Sequence, residues 1–409
     1  MKLPFGTVLA EREFRLLISA RLISQLGNQA SIAVIGFAVL GIGGGAGAIG
    51  AVLGASSVSL AVFLIVGGVL GDRWSRRMIM VVADLVRFGS QGLTAVLLVT
   101  GHALVWHLVV LQVVAGAASA FYVPAVTAIG VEATASEHRK EANSLRSLVI
   151  AVSTIAGPAI GGLFAVLLGP GQALAIDAVS FLVSAMFLTR MKIGAKPVSS
   201  GQRIIEQAKA GWSEFRSRTW LWSVTTLASF CSMLVLAPVM VLGPIIAQRD
   251  LGGVGAWAMV LSGLGVGAVV GGIAVNWVHP QRQLVWVVAG ALLLLPVAVL
   301  LGAGVPLWVL VCGAFLMGVE QSAYWTLWQT TLQQRVPADV LGRVSSYDWL
   351  GYHALGPLGY LLAPIIAAHF GPSAALFGGA AVVFTTVVTL LAMPEIRESR
   401  PQPVLADGM

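Results

Sequence analysis

Charge is what this chain has least of. Only 10% of its 409 residues are Asp, Glu, Lys or Arg, where a soluble domain carries about 25%. So few charges cannot clothe a water-soluble fold of this length, which excludes a cytoplasmic globular enzyme. A hydrophobic content of 57% excludes a disordered chain. Cysteine is scarce as well: Cys231 and Cys312 both lie inside apolar runs, so no disulfide framework or thiolate metal site follows. No G-x-x-x-x-G-K-S/T phosphate loop occurs, so nucleotide hydrolysis cannot power this chain, and the scattered histidines form no H-E-x-x-H metal pair. No cofactor is expected.

Long uncharged stretches take their place. Asp, Glu, Lys and Arg are absent from residues 22–71, 88–131, 147–176, 219–248, 251–281, 283–319 and 349–394. One bilayer crossing needs about 20 apolar residues, so the longest runs are each two helices and a turn. Turn chemistry sits where a hairpin requires it: Gly41 to Gly47, Thr100 to His102, Gly169-Pro170-Gly171, Arg249 to Gly253, Gly302 to Pro306 and Phe370 to Ser373. The prediction is an all-α membrane protein of twelve spans, near 15–40, 48–70, 78–99, 104–128, 142–168, 172–192, 219–247, 254–277, 283–302, 306–334, 343–368 and 373–393. Runs this long lack the alternation of a membrane β-barrel.

Of the 24 Lys and Arg residues only Arg249 falls on the hairpin-turn side. The positive-inside rule then puts both termini in the cytoplasm, at a bacterial inner membrane. The net charge of +7 is thereby a matter of orientation, and nucleic acid is not an expected partner. The N-terminus lacks a cleavable signal pattern, so the first span reads as a retained anchor. Trp74, Trp106, Trp220 and Trp308 near helix ends read as interfacial anchors.

The longest polar interruption separates two six-helix halves, 1–192 and 219–395, through a linker at 193–218; a tail follows at 396–409. Within the linker Ile204, Ile205, Ala208, Trp212 and Phe215 recur at helical spacing among basic residues, as in a helix lying on the inner leaflet. Shifting the chain by about 200 residues lays Gly157-Pro158 on Gly356-Pro357 and Gly67-Gly68 on Gly271-Gly272, a weak internal repeat. Parallel repeats of this kind place a substrate site between rocking halves.

After the second span the chain reads Gly68-x-x-x-Asp72-Arg73-x-x-Arg76-Arg77. Arginines alone would be a positive-inside anchor; with the Gly and Asp in register the loop resembles the signature of the major facilitator superfamily. That resemblance implies two pseudo-symmetric six-helix halves and gives Gly68, Asp72, Arg73, Arg76 and Arg77 the part of a cytoplasmic latch. Asp84 and Arg87, one turn apart on the third span, are read as an ion pair in the same network. Gly157-Pro158-Ala159-Ile160-Gly161-Gly162 is similar to the Gly-Pro motif of the superfamily's exporters, with Ser153 where a Gly is usual, although any Gly-Pro kink in a membrane helix would look alike. Together with residues 132–146 and 336–343 the chain resembles the drug and siderophore exporter branch that includes macrolide-efflux and enterobactin-export proteins. It departs from that pattern at Gln112, where an Arg is common in the fourth span, and at Asn28, where Asp is common, so the proton route is open.

Ionisable residues inside a membrane are costly and usually functional. Glu320 falls near the middle of the tenth span, with Tyr324 and Trp328 at i+4 and i+8 on its face, suited to a cationic or amphiphilic aromatic substrate or to a proton. A Glu satisfied by Gln321 or a neighbouring helix is the plainer alternative. His353, near mid-span in the eleventh helix, titrates or packs. Ser24, Asn28 and Ser31 form a polar stripe on the first helix that lines a cavity or bonds to another helix. Asp348 is read as pairing with Arg343, and Asp177 as structural. Gly263, Gly267 and Gly271 read as close-packing positions.

The expected activity is therefore secondary export of amphiphilic small molecules by alternating access and proton antiport, with Glu320, His353, Asn28, Gln112, Tyr122, Tyr324 and Trp328 at the substrate or proton site and Gly157, Pro158, Gly161, Gly162, Gly356 and Pro357 at flexing points. The alternatives are an uptake carrier, a proton-independent facilitator or a non-transporting sensor. The expected partners are the lipid bilayer, a small-molecule substrate and protons, and the chain is expected to act as a monomer.

Overall fold

A computed structural model describes residues 6–71, 75–135, 138–192, 212–275, 277, 280 and 282–397. Among them twelve helices are long and apolar enough to cross a membrane. They are α1 (Arg12–Gly41), α2 (Ala46–Gly71), α3 (Arg76–Val99), α4 (Val105–Glu132), α5 (Arg139–Leu168), α6 (Pro170–Thr189), α7 (Thr219–Leu251), α8 (Val254–Ala274), α9 (Gln283–Ala303), α10 (Leu307–Arg335), α11 (Ala338–Ala354 continued by Gly356–Phe370) and α12 (Pro372–Ala392). No strand occurs among the described residues. Each expected span is present, and the all-α membrane fold follows.

Each hairpin turns on glycine in the left-handed region, at Gly43, Gly101, Gly169, Gly252 and Gly253, Gly304 and Gly371. A Cβ is disfavoured at such a φ, so the turn positions carry residues without one. The fourth of these turns is tighter than the sequence suggests. A π turn, Ala247–Leu251, keeps Arg249 and Asp250 in the end of α7, where they pair with each other.

Among the described residues three helices depart from the uniform spans expected, α9 by a 3-10 segment at Ala291–Leu294. A second π turn interrupts α7 at Ser232–Leu236. Helix α11 breaks at Leu355, because Pro357 has no N–H and its ring crowds the carbonyl four residues back. The equivalent proline, Pro158, is carried inside an unbroken α5.

By contacts the chain forms two compact units: Met1–Ser200 with Met240–Gly265 and Tyr360–Ile365, and Gly201–Val239 with Val266–Gly359 and Ile366–Met409. In the first, α1 packs on α5 and α6, α2 on α4, and α3 on α4 and α6. In the second, α7 packs on α11 and α12, and α9 on α10 and α12, which repeats four of those pairings six helices later. The grouping does not follow the boundary read from the linker. Met240–Gly265 and Tyr360–Ile365 join the first unit through glycines: a Cβ on Gly162 would meet that of Ala258 at 2.2 Å, and one on Gly50 would meet the Tyr360 carbonyl oxygen at 2.2 Å. Most of the linker, residues 193–211, lies outside the described residues; beyond it Trp212 stacks on Phe215 and packs at a tilt against Tyr347.

Candidate functional site

The second unit encloses a cavity of about 280 Å³ walled by α7, α9, α10 and α11. Its position follows from how closely α10 is held. A Cβ on Gly267 of α8 would lie 2.0 Å from the carbonyl oxygen of Phe315, and one on Gly271 would lie 2.4 Å from that of Val319. Only Gly allows backbones to approach so far, so the α8 glycines set the register of the residue that follows, Glu320. On the α7 side, Gly359 takes the same part against the Met233 carbonyl, inside the π-turn segment of α7.

Glu320 is 5% exposed and opens onto this cavity. Among the described residues none donates a hydrogen bond to its carboxylate, so the reading in which Gln321 or a neighbour satisfies it finds no support. The surrounding wall is aromatic: Tyr324 and Trp325 of α10, and Trp349, Tyr352 and His353 of α11. His353 stands in the last turn before the α11 break, its ring 4.2 Å from that of Trp349 and 4.7 Å from that of Tyr352. Cys231 of α7 completes the wall opposite.

Trp328 corrects the expectation for this helix face. It is fully buried and lines no part of the cavity; its indole N–H donates to Asp348 at 2.9 Å. Thr225 donates to the other Asp348 oxygen at 2.6 Å. Asp348 thus has two neutral donors, and the side chain of Arg343, the partner expected from the sequence, lies outside the described residues. Trp220, expected at the interface, packs edge-on against Trp328 instead.

The first unit holds a cavity of about 470 Å³ with a different lining. The α1 stripe Ser24, Asn28 and Ser31 faces it, as do Gln112 and Tyr122 of α4. Sequence reasoning missed Arg21, Gln25 and Gln91, which share this wall, and read Arg87, which also lines it, only as a member of the cytoplasmic network. Arg21 sits one turn before Ser24 on the same stripe, but at the edge of a charge-free run it was counted with the basic flanks. Arg87 pairs with Asp84 and lies between the rings of Tyr122, at 4.2 Å, and Phe181, at 4.5 Å. Ser184 of α6 donates to Asp84 at 2.6 Å. Behind the wall, Gln91 donates to Ser31 at 3.2 Å and to the buried Asp177 at 3.1 Å.

Of the loop signature, Arg76 pairs with Glu132 at the end of α4, and Arg77 donates to the carbonyl of Met191 beyond α6. Asp72 and Arg73, and the surroundings of Gly68, lie outside the described residues. In the Gly-Pro motif a Cβ on Gly157 would meet Gln29 at 2.4 Å, and one on Gly161 the Ala30 carbonyl oxygen at 2.4 Å. Gly157 and Gly161 therefore form the seam where α5 closes against α1, with the buried Pro158 next to Gly157 in the chain. Gly356 stands against Ser232, where an added Cβ would lie 3.0 Å from the hydroxyl oxygen.

Twelve helices of membrane-spanning length and apolarity, with cavities of solute size in each unit and, among the described residues, no donor to the Glu320 carboxylate, make a polytopic membrane protein of the transporter kind. The profile described as Major Facilitator Superfamily matches residues 17–357, and the chain belongs to that family. It is similar to macrolide efflux protein A of Streptococcus pyogenes, 20% identical over 74% of this chain and 76% of that protein. To the enterobactin exporter EntS of Shigella flexneri it is 24% identical over 84% of this chain and 83% of that one. With the multidrug efflux pump Tap of Mycolicibacterium fortuitum it shares 25% identity over 94% and 96%. Among solved structures, the nucleoside transporter NupG superposes with a TM-score of 0.74 at 10% identity over 95% of this chain and 99% of that chain. A D-xylose-proton symporter does so with a TM-score of 0.70 at 11% identity over 95% and 99%.

Proposed function

We propose that the chain is a secondary exporter of amphiphilic small molecules across a bacterial inner membrane, coupled to proton entry, with both termini cytoplasmic. The observation that carries this is Glu320. A carboxylate at membrane depth, bordered by five aromatic rings and met by no donor among the described residues, is expensive to keep and is suited to exchange. Protonated, it is a neutral wall of an aromatic cavity. Ionised, it attracts a cationic or polarised aromatic solute through charge and cation–π contact. Binding of solute and of proton at one group are then mutually exclusive, which is the elementary requirement for antiport. The efflux names of the sequence relatives favour the outward direction; the symporter among the structural neighbours shares the fold alone.

His353, Tyr324, Tyr352 and Trp325 shape the same pocket, while Asn28, Gln112 and Tyr122 line the first unit's cavity. Arg76 and Arg77, with Asp72, Arg73 and Gly68, form the cytoplasmic latch, and Gly157, Pro158, Gly161, Gly162, Gly356 and Pro357 are the seams along which α5 and α11 move. The chain acts as a monomer.

The test is efflux from loaded cells and uptake into inverted vesicles, screened with dyes and antibiotics with and without a pH gradient. Glu320→Gln is expected to bring gradient-driven transport to background while the protein still inserts in normal amount. Transport by that variant at the wild-type rate, or wild-type transport indifferent to collapse of the gradient, overturns the coupling.

A further inference from the structure

Among the described residues no carboxylate pairs with Arg21, a cation on the wall of the first unit's cavity. Arg21 lines the wall, its Nη1 is shut from solvent, and no acceptor meets that nitrogen. The described carboxylates of this unit meet other groups, Asp84 meeting Arg87 and Glu132 meeting Arg76 among them, while Asp177 accepts from Gln91 through one oxygen and keeps the other buried without a partner. The charged neighbour of Arg21 is a second cation, Arg146, which adds to the positive potential. A guanidinium partly withdrawn from water, with no counter-ion among the described residues, is unfavourable, and a ligand on this wall would supply the missing charge. Around it the wall offers further donors rather than carboxylates: Gln25, Asn28 and Gln112, with Tyr122 as an aromatic surface. At about 470 Å³ the space admits a small organic solute, not merely an inorganic ion.

We infer that this cavity is an anion-accepting subsite, in which Arg21 pairs with a carboxylate or ionised phenol carried by an aromatic solute. The planar guanidinium fork suits the two oxygens of a carboxylate, and the amides of Gln25 and Gln112 supply donors beside it. This deepens the export reading, on which it rests, by giving the transported amphiphile an acidic group besides the cationic or aromatic part that Glu320 attracts. The same oxyanion chemistry is offered by an anionic lipid headgroup, so the experiment separates the two sources.

Full-length protein in nanodiscs of phosphatidylcholine alone is titrated with 1-naphthoate, 1-naphthamide and 1-naphthylmethylammonium, three probes of one ring system differing in charge, and affinity is read from the rise in melting temperature. Wild type should bind naphthoate about tenfold more tightly than naphthamide. Arg21→Gln should erase that preference while leaving naphthamide affinity within about threefold, which reports an intact fold; Arg21→Lys should restore most of it. No preference in wild type, or an equal loss of both ligands in Arg21→Gln, overturns the subsite. Added phosphatidylglycerol that competes with naphthoate assigns the site to a lipid headgroup and overturns the solute. Should every efflux screen fail while the Arg21-dependent preference holds, the export reading falls and the anion site stands; an exported solute in a protein without the preference is the reverse.

Discussion

Asp84 behind the first unit's cavity and Glu320 on the wall of the second are held in opposite ways, and the contrast separates architecture from chemistry. In the first unit Asp84 is locked: Arg87 and Ser184 satisfy it, and two aromatic rings sandwich the guanidinium. In the second unit Glu320 faces the cavity with no donor among the described residues, while Asp348, on the next helix, is satisfied by Thr225 and Trp328. A buried acid with all its partners is part of the frame. One without them is available for a ligand or a proton.

The strongest way to break this comparison is to remove charge from each acid in turn. Asp84→Asn leaves Arg87 without its counter-charge, and breaking a buried pair on one side costs about 3–5 kcal/mol. The variant should lose most of its folded yield and melt far earlier in detergent than wild type. Glu320→Gln should melt at or slightly above the wild-type temperature, since it relieves an uncompensated desolvated group, and yet fail to transport. Equal destabilisation by the two substitutions would show that both carboxylates are structural.

A smaller effect probes what holds Glu320 at its cavity. Gly271→Ala puts a methyl group 2.4 Å from the Val319 carbonyl oxygen. Backbone rather than a pliable side chain must give way, at about 1–3 kcal/mol. The expected result is a lower melting temperature and impaired transport. Gly378→Ala on α12, where nothing lies within 4 Å, should change neither. Comparable still is Trp328→Phe, which removes one of the two donors to Asp348 and should cost about 1.5–3 kcal/mol in thermal unfolding.

Orientation is tested separately. Gly45→Cys in the first hairpin turn, an open position, should react with a membrane-impermeant maleimide added to intact cells in a Cys231→Ala, Cys312→Ser background. Protection there, with reaction only after lysis, would place the turns inside and reverse the export direction.

The spans were legible because the bilayer imposes a coarse rule on composition: charge disappears for the length of a crossing, and glycine marks each reversal. The cavity chemistry was legible only in part. Glu320 stands out as a lone acid in an apolar run, and Ser24, Asn28 and Ser31 as a stripe, because both signals are local. Arg21 was hidden at the border of its run, where a cavity cation and a positive-inside arginine look alike in one dimension. Trp328 shares a helical face with Glu320, yet its indole is drawn to Asp348 by an α11 position that no spacing on α10 reveals. The break of α11 and the continuity of α5 also diverge, although Gly-Pro occurs in both; which proline interrupts its helix depends on packing that the dipeptide does not encode.

The finest prediction uses the two cysteines as reporters of one cavity. Cys231 is buried on the wall facing Glu320, whereas Cys312 is exposed on α10. In a Cys312→Ser protein, N-ethylmaleimide should reach Cys231 only by entering the cavity, so labelling should be slow. A cation that pairs with Glu320 fills that space, and 1-naphthylmethylammonium should slow the reaction about twofold further at a concentration near its dissociation constant. 1-Naphthoate, repelled by the carboxylate, should leave the rate unchanged while it stabilises the protein through Arg21. Protection of Cys231 by the anion as effective as that by the cation would mean that the two cavities do not divide their ligands by charge, and the contrast between a cationic first unit and an anionic second one would have no consequence for binding.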